Sequence, residues 1–264
     1  MNVLFIGYGR MGGALGDAWL KGGLVERLSI VDPGLSADAA AGRYARLQDV
    51  PTDQAFELIV LAVKPAYASS ALAGLSDRQC SQATVVSVAA GVTQASLSDA
   101  VGQRCPVVRA MPNTPVLLGA GCTGLYAGAQ LDAARKAVIG RLFEAVGAAY
   151  WVDEEQQLDA VTAISGSGPA YYHLFSEALA EAGVKLGLNP ELARNLAAQT
   201  AFGAATLQHQ AHADFIELRV AVTSPNGTTA AAIEVFESQR KLRALLEQAT
   251  SAAHRRSVEL SKGA

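Results

Sequence analysis

Three features of the chain predict an α/β first half joined to an all-α second half. A glycine-rich turn, Gly7-Tyr8-Gly9-Arg10-Met11-Gly12, lies between an apolar run and a stretch of helical spacing at the start of the chain. Short apolar runs then alternate with helix-like segments as far as Val152, the texture of a mostly parallel sheet. From Asp153 nothing further reads as a strand, and apolar residues recur at helical spacing. The expected boundary therefore separates residues 1–152 from 153–264.

The first strand is Val3-Leu4-Phe5-Ile6, and Met11, Leu15, Ala18 and Trp19 mark the helix after the turn. Strand, glycine turn and helix in that order form the Rossmann-like context in which G-x-G-x-x-G has physical meaning. Gly7 suits a tight turn, Gly9 keeps side chains away from a pyrophosphate, and Gly12 lets the helix lie close. The helix start then offers N–H groups to phosphate. Leu28-Ser29-Ile30-Val31 is the second strand and ends at Asp32. A carboxylate there suits the adenosine ribose hydroxyls, although Asp32-Pro33-Gly34 also reads as a turn. That charge leans toward NADH and Arg10 pulls toward NADPH, so either nucleotide remains open.

Leu58–Val63 reads as a strand buried on both faces, with Lys64-Pro65 closing it at the carboxyl edge, where open α/β sheets bind ligands. Thr84–Val88 is the next strand. The small residues Ala89-Ala90-Gly91 after it suit either a flat ring or tight packing. Val107-Val108 leads into Arg109–Pro115, expected as a polar loop stiffened by two prolines. Gly121–Tyr126 is expected as an edge strand, followed by a helix over about 132–146 and a strand over 148–152.

In the second half, Ile164–Pro169 is expected to break one helix and start another, with Pro169 in a first turn. That helix runs through Tyr171, Phe175 and Leu186 to Gly187. Asn189-Pro190 opens a helix to about Leu207, a shorter one covers about 214–221, and the polar stretch Val222–Thr229 feeds another. The last helix repeats apolar residues from Leu242 to Ala253. Helices this rich in alanine and glycine favour close packing and pairing across a dimer.

Composition narrows the function. With 264 residues, 50% hydrophobic and 17% charged, the chain can bury a real core. Its formal charge of −3 gives no footprint for nucleic acid, and no apolar run reaches membrane-spanning length. The strand beginning at Asn2 leaves no room for a leader, and three scattered cysteines read as buried, reduced thiols, so a cytoplasmic protein without disulfide or metal is expected. His209 and His212 lack a third metal ligand nearby, His173 reads equally as packing, and Gly166-Ser167-Gly168 is not a nucleophile elbow.

Several blocks in one order carry a more specific signal. They are Gly7–Met11, Ala62-Val63-Lys64-Pro65, Ser87–Gly91, Met111-Pro112-Asn113-Thr114-Pro115, Ser165–Tyr171 and Val222–Thr229. With them the chain resembles the pyrroline-5-carboxylate reductase family over nearly its whole length. The resemblance implies NAD(P)H-dependent reduction of 1-pyrroline-5-carboxylate to L-proline, the last step of proline biosynthesis, by a homodimer or larger homo-oligomer. It implies nucleotide contacts at Gly7, Gly9, Arg10 and Met11, at Asp32, at Ala62, Val63, Lys64 and Pro65, and at Ala90, Gly91 and Asn113. It makes 153–264 the substrate-binding and dimerisation domain, with the substrate carboxylate at Ser224, Asn226, Gly227 and Thr228. It also implies that the Thr229 hydroxyl lies against the substrate nitrogen as the catalytic contact.

Three positions depart from the family pattern. Asn226 replaces a glycine, His212-Ala213-Asp214 stands where a glutamate is usual, and Arg10 stands where asparagine is common. Alternatives are another small-molecule dehydrogenase or imine reductase of the same plan, or a nucleotide sensor without turnover.

Overall fold

The computed structural model describes residues 1–262. The strands are β1 (Asn2–Ile6), β2 (Arg27–Val31), β3 (Arg43–Tyr44), β4 (Leu58–Leu61), β5 (Thr84–Ser87), β6 (Val107–Met111), β7 (Gly121–Ala127) and β8 (Gly147–Trp151). They form one sheet in the order β3-β2-β1-β4-β5-β6-β7-β8. Every pairing is parallel except β6 with β7. The helices among and after them are α1 (Arg10–Lys21), α2 (Ala68–Ala73), α3 (Asp77–Cys80), α4 (Gln94–Ala100), α5 (Ala133–Glu144) and α6 (Gln157–Val161). Those of the second half are α7 (Gly168–Lys185), α8 (Pro190–Gln208), α9 (Phe215–Ala221), α10 (Thr228–Glu237) and α11 (Lys241–Lys262).

Alternation along the strands creates two core layers. Val3 and Phe5 of β1 face Leu15 and Trp19 of α1 and Ile139, Leu142 and Phe143 of α5. Leu4 and Ile6 face the opposite layer, with Leu72 of α2 and Leu97 of α4. Trp19 is fully buried, its indole N–H donates to the Leu142 carbonyl at 2.6 Å, and its ring meets Phe143 edge-on. A buried indole needs such an acceptor, because an unmet N–H in an apolar layer costs about 1–3 kcal/mol. Cys80 and Cys105 meet in the second layer, far apart in sequence. The hydrogen bond between their thiols, then burial, holds Cys105 well above the ordinary thiol range.

Four sequence expectations change. β6 continues through Arg109 to Met111 instead of ending in a loop, because Arg109 is buried against Glu155 at 2.7 Å and its charge no longer opposes strand burial. β7 is internal, since β8 adds beyond it. The pairing of Gly121 with Gly147 lets those backbones approach where a Cβ on Gly147 would strike Gly121. β3 is an extra edge strand, too short for any periodicity to reveal. The expected break at Ile164–Pro169 is a single wide turn. Residues Thr162–Gly166 are π-helical, Ser167 N–H donates to the Thr162 carbonyl at 2.8 Å, and α7 begins at Gly168 with Pro169 in its first turn.

The chain divides into two compact units. One is Met1–Ser167 together with the chain from Ala252 on, and the other is Gly168–Ser251. Residues 153–167 therefore pack with the sheet unit, and so does the end of α11. Ser257 on α11 donates to Asp159 at 2.6 Å, and Leu260 lies against Gly91. Among the described residues no helix is long and apolar enough to cross a membrane.

Candidate active site

In the first unit the segments following β1, β2, β4, β5 and β6 emerge at one edge of the sheet. Gly7 has φ +90°, and an added Cβ would lie 2.6 Å from the Ala62 carbonyl oxygen, so no other residue fits there. Gly12 abuts the Gly7 carbonyl, which brings the start of α1 onto the turn. Gly9 has open space on its Cβ side. Gly9 is the N-cap of α1, and no side chain caps this helix and no acidic residue lies in its first turn. Its leading N–H groups and partial positive charge are thus left for an outside anion.

Tyr8 acts in a way the sequence does not reveal. Its N–H donates to Asp32 Oδ2 at 2.7 Å, while Asp32 Oδ1 accepts from Gly34 N–H at 2.8 Å. Asp32 therefore both opens its own turn and braces the glycine loop. The Tyr8 ring folds back over Gly16, meets Phe5 edge-on, and its hydroxyl donates to Asp17 at 2.7 Å. Burial, then the bond to Asp17, pushes that hydroxyl well above the ordinary phenol value, which keeps it a donor. The only sequence signal was a glycine eight residues after the tyrosine.

The remaining expected nucleotide residues occupy distinct places. Arg10 is exposed and lines a groove with Gly13, Asp17, Val116 and Leu117. Met11 and Val63 pack onto the two core layers, and Ala62 N–H donates to the Ile6 carbonyl at 2.8 Å. Lys64 and Pro65 are exposed at a 3-10 turn. Ala90 is exposed, whereas Gly91, with φ +77°, lies 3.0 Å from Leu260 at its ideal Cβ, the close-packing alternative. Asn113 is buried with both ends of its amide engaged. Oδ1 accepts from Cys122 N–H at 2.8 Å and Nδ2 donates to the Ser165 carbonyl at 2.9 Å. It ties β7 to the π turn.

In the second unit, Asp214 caps α9, its Oδ1 accepting from Ile216 and Glu217 N–H groups, so local structure already uses this carboxylate. The following turn is closed by Gly227 N–H donating to the Ser224 carbonyl at 3.0 Å. Pro225 takes the second position and Asn226 the third with φ +58°, the type II arrangement for which asparagine is the usual substitute for glycine. Thr228 and Thr229 open α10, whose N-cap Gly227 contributes no side chain and whose first turn carries no acid. Thr229 is half-buried and Ser224, Asn226 and Thr228 are exposed. His173, His209 and His212 are exposed as well, and among the described residues no three potential ligands gather around a metal position.

Comparison with known proteins connects these features. A family model described as pyrroline-5-carboxylate reductase dimerisation matches residues 155–260, and one described as NADP oxidoreductase, coenzyme F420-dependent, matches residues 2–91. The pyrroline-5-carboxylate reductase of Pseudomonas aeruginosa is 45% identical over 268 residues, spanning 99% of this chain and 97% of that protein. That of Pasteurella multocida is 35% identical over 270 residues, spanning 99% and 98%. The solved structure of a pyrroline-5-carboxylate reductase from Coxiella burnetii superposes with a TM-score of 0.87 at 34% identity over 98% of both chains. The pyrroline carboxylate reductase of Plasmodium falciparum, solved with NADP bound, gives 0.84 at 28% identity over 99% of this chain and 98% of that one. The chain belongs to the pyrroline-5-carboxylate reductase family.

Proposed function

We propose that the protein reduces 1-pyrroline-5-carboxylate to L-proline with NADH or NADPH. Two anions must be held, the dinucleotide pyrophosphate and the substrate carboxylate. The observation that carries this reading is a contrast in helix caps. α5 and α8 are closed by side chains of Asp132 and Asn189, while α1 and α10 begin on bare glycines without a first-turn acid. Helix starts of that kind are built to take a negative group from outside.

Gly7, Gly9 and the leading N–H groups of α1 hold the pyrophosphate, and Asp32 meets the adenosine ribose. Ala62–Pro65, Ala90 and Gly91 border the nicotinamide side. When bound, the reduced nicotinamide supplies hydride to the imine carbon. The chain's own work is orientation. The Ser224–Thr228 turn and the N–H groups of α10 hold the carboxylate, and the Thr229 hydroxyl hydrogen-bonds the ring nitrogen. Water delivers the proton there, so no strong general acid is required.

The second unit supports a homodimer. Its helices α7 to α10 bury only Gly168, Ala193 and Ala197, too little to hold these helices without a partner. A cytoplasmic setting, in which all three cysteines stay reduced, fits this chemistry. Steady-state oxidation of NADH or NADPH by pyrroline carboxylate tests the activity, since a sensor would bind nucleotide and give no sustained rate. Thr229→Ala should lower kcat about tenfold or more by removing a polar contact at the reacting nitrogen. An unchanged rate would remove Thr229 from its assigned role.

A further inference from the structure

We propose that Cys80 and Cys105 form a reactive site of their own, a dithiol that hydrogen peroxide oxidises reversibly to an intrachain disulfide. The backbone brings the two residues together. Cys80 ends α3, and its carbonyl accepts from Ala83 N–H at 3.1 Å as the chain turns into β5. Cys105 stands just before β6, and Val85 N–H donates to the Pro106 carbonyl at 2.9 Å, so both cysteines lie where β5 and β6 begin. Their thiols share a hydrogen bond inside the second core layer. Thiols in that contact need only a small approach to reach the bonded S–S separation of about 2.05 Å. The strands β1, β4, β5 and β6 run parallel, so this pair lies at the opposite edge of the sheet from the glycine loop after β1.

The surroundings assign a role to each thiol. Arg104 is fixed close by, donating to the Val101 carbonyl at 2.7 Å, the Leu75 carbonyl at 2.8 Å and Asp77 at 3.0 Å. The bond from Cys105 draws the Cys80 thiol below the ordinary range against the effect of burial, and the Arg104 charge adds to this while Asp77 opposes it. The same bond holds the Cys105 proton in place. Cys80 is therefore the attacking thiolate and Cys105 the resolving thiol. The Cys80 thiolate attacks one peroxide oxygen, the O–O bond breaks, and the departing hydroxide takes up the proton Cys80 released and leaves as water. Cys80 is then a sulfenic acid. The Cys105 sulfur attacks it, the S–O bond breaks, and hydroxide leaves with the Cys105 proton as a second water. Two electrons have passed from the thiols to the peroxide. With Cys80 1% and Cys105 5% exposed, only a small oxidant reaches them. The element above them, α3, is a single turn of four residues, and a piece this short opens without unfolding the sheet. In a reducing compartment the pair rests as thiols and the disulfide is transient.

Cys122, the third cysteine of the chain, serves as an internal control. β7 runs antiparallel to β6, so Cys122, near the start of β7, lies toward the far end of β6 from Cys105. In the test, the reduced full-length protein is treated with hydrogen peroxide, remaining thiols are alkylated, and the peptides are read by mass spectrometry. Cys80 and Cys105 should be recovered linked to each other and Cys122 alkylated, and dithiothreitol should restore all three thiols. Cys105→Ala should stop the reaction at the Cys80 sulfenic acid, where dimedone labels it, and Cys80→Ala should leave Cys105 unoxidised. The crosslink in the wild type is decisive by itself if either variant fails to fold. Recovery of Cys80 and Cys105 as free thiols after peroxide would overturn the inference. So would a disulfide that involves Cys122 or a second chain, or dimedone label on Cys105 in the Cys80→Ala variant.

Discussion

At Gly7 two demands coincide. The backbone is left-handed at φ +90°, and the Ala62 carbonyl occupies the place of a side chain. Gly7→Ala should therefore cost about 2 kcal/mol or more, combining backbone strain with a contact to backbone that cannot yield. A fall in Tm with loss of nucleotide binding would show it, and a variant with wild-type Tm and affinity would refute it. The turn at Gly7 and the close packing at Gly12 were legible because such demands are local. Asp32 was half legible: its turn lies in adjacent residues, but its bond to Tyr8 spans 24 positions. Asn113 was expected at the nucleotide. Its amide joins Cys122 to Ser165, 52 residues away, and no spacing rule reports such a pairing.

At the scale of elements, local chemistry again divides what could be read from what could not. The start of α8 was legible because Asn189 caps it from the side chain and Pro190 needs no N–H. The length of β6 was not, because Arg109 looks like a loop residue until Glu155 is brought to it across 46 positions. The same Glu155 oxygen accepts from Gln94 N–H at 2.6 Å, so one carboxylate joins β6, the start of α4 and the segment after β8. Glu155→Ala should leave Arg109 buried and unpaired, costing about 3 kcal/mol in urea denaturation. Glu155→Gln, which retains an acceptor, should cost less. Equal stability of the alanine variant and wild type would mean that water substitutes fully for the ion pair.

For the whole molecule the two units differ in kind. The sheet unit carries two layered cores, legible from its apolar runs. The helical unit was legible as helices but has almost no interior within one chain. Tyr172, Phe202 and Phe215 are each about two-thirds exposed, at 68%, 67% and 69%. Apolar surface on this scale is stable in water only when covered, and a second copy of the chain would supply a matching face under two-fold symmetry. Thermal unfolding should therefore shift to higher temperature as protein concentration rises. Phe202→Glu should yield smaller particles in light scattering together with a lower Tm. A concentration-independent Tm and an unchanged particle mass would refute this pairing.

The central claim is that a nucleotide seated on the start of α1 and a carboxylate seated on the start of α10 serve one reaction. A crystal structure of the assembled enzyme with a nicotinamide nucleotide and L-proline tests it most directly. The account predicts proline with its carboxylate on the Ser224–Thr228 turn, its ring nitrogen within hydrogen-bonding reach of Thr229 and its C5 facing the nicotinamide. Proline bound elsewhere, with that turn remote from every nicotinamide in the assembly, would contradict it.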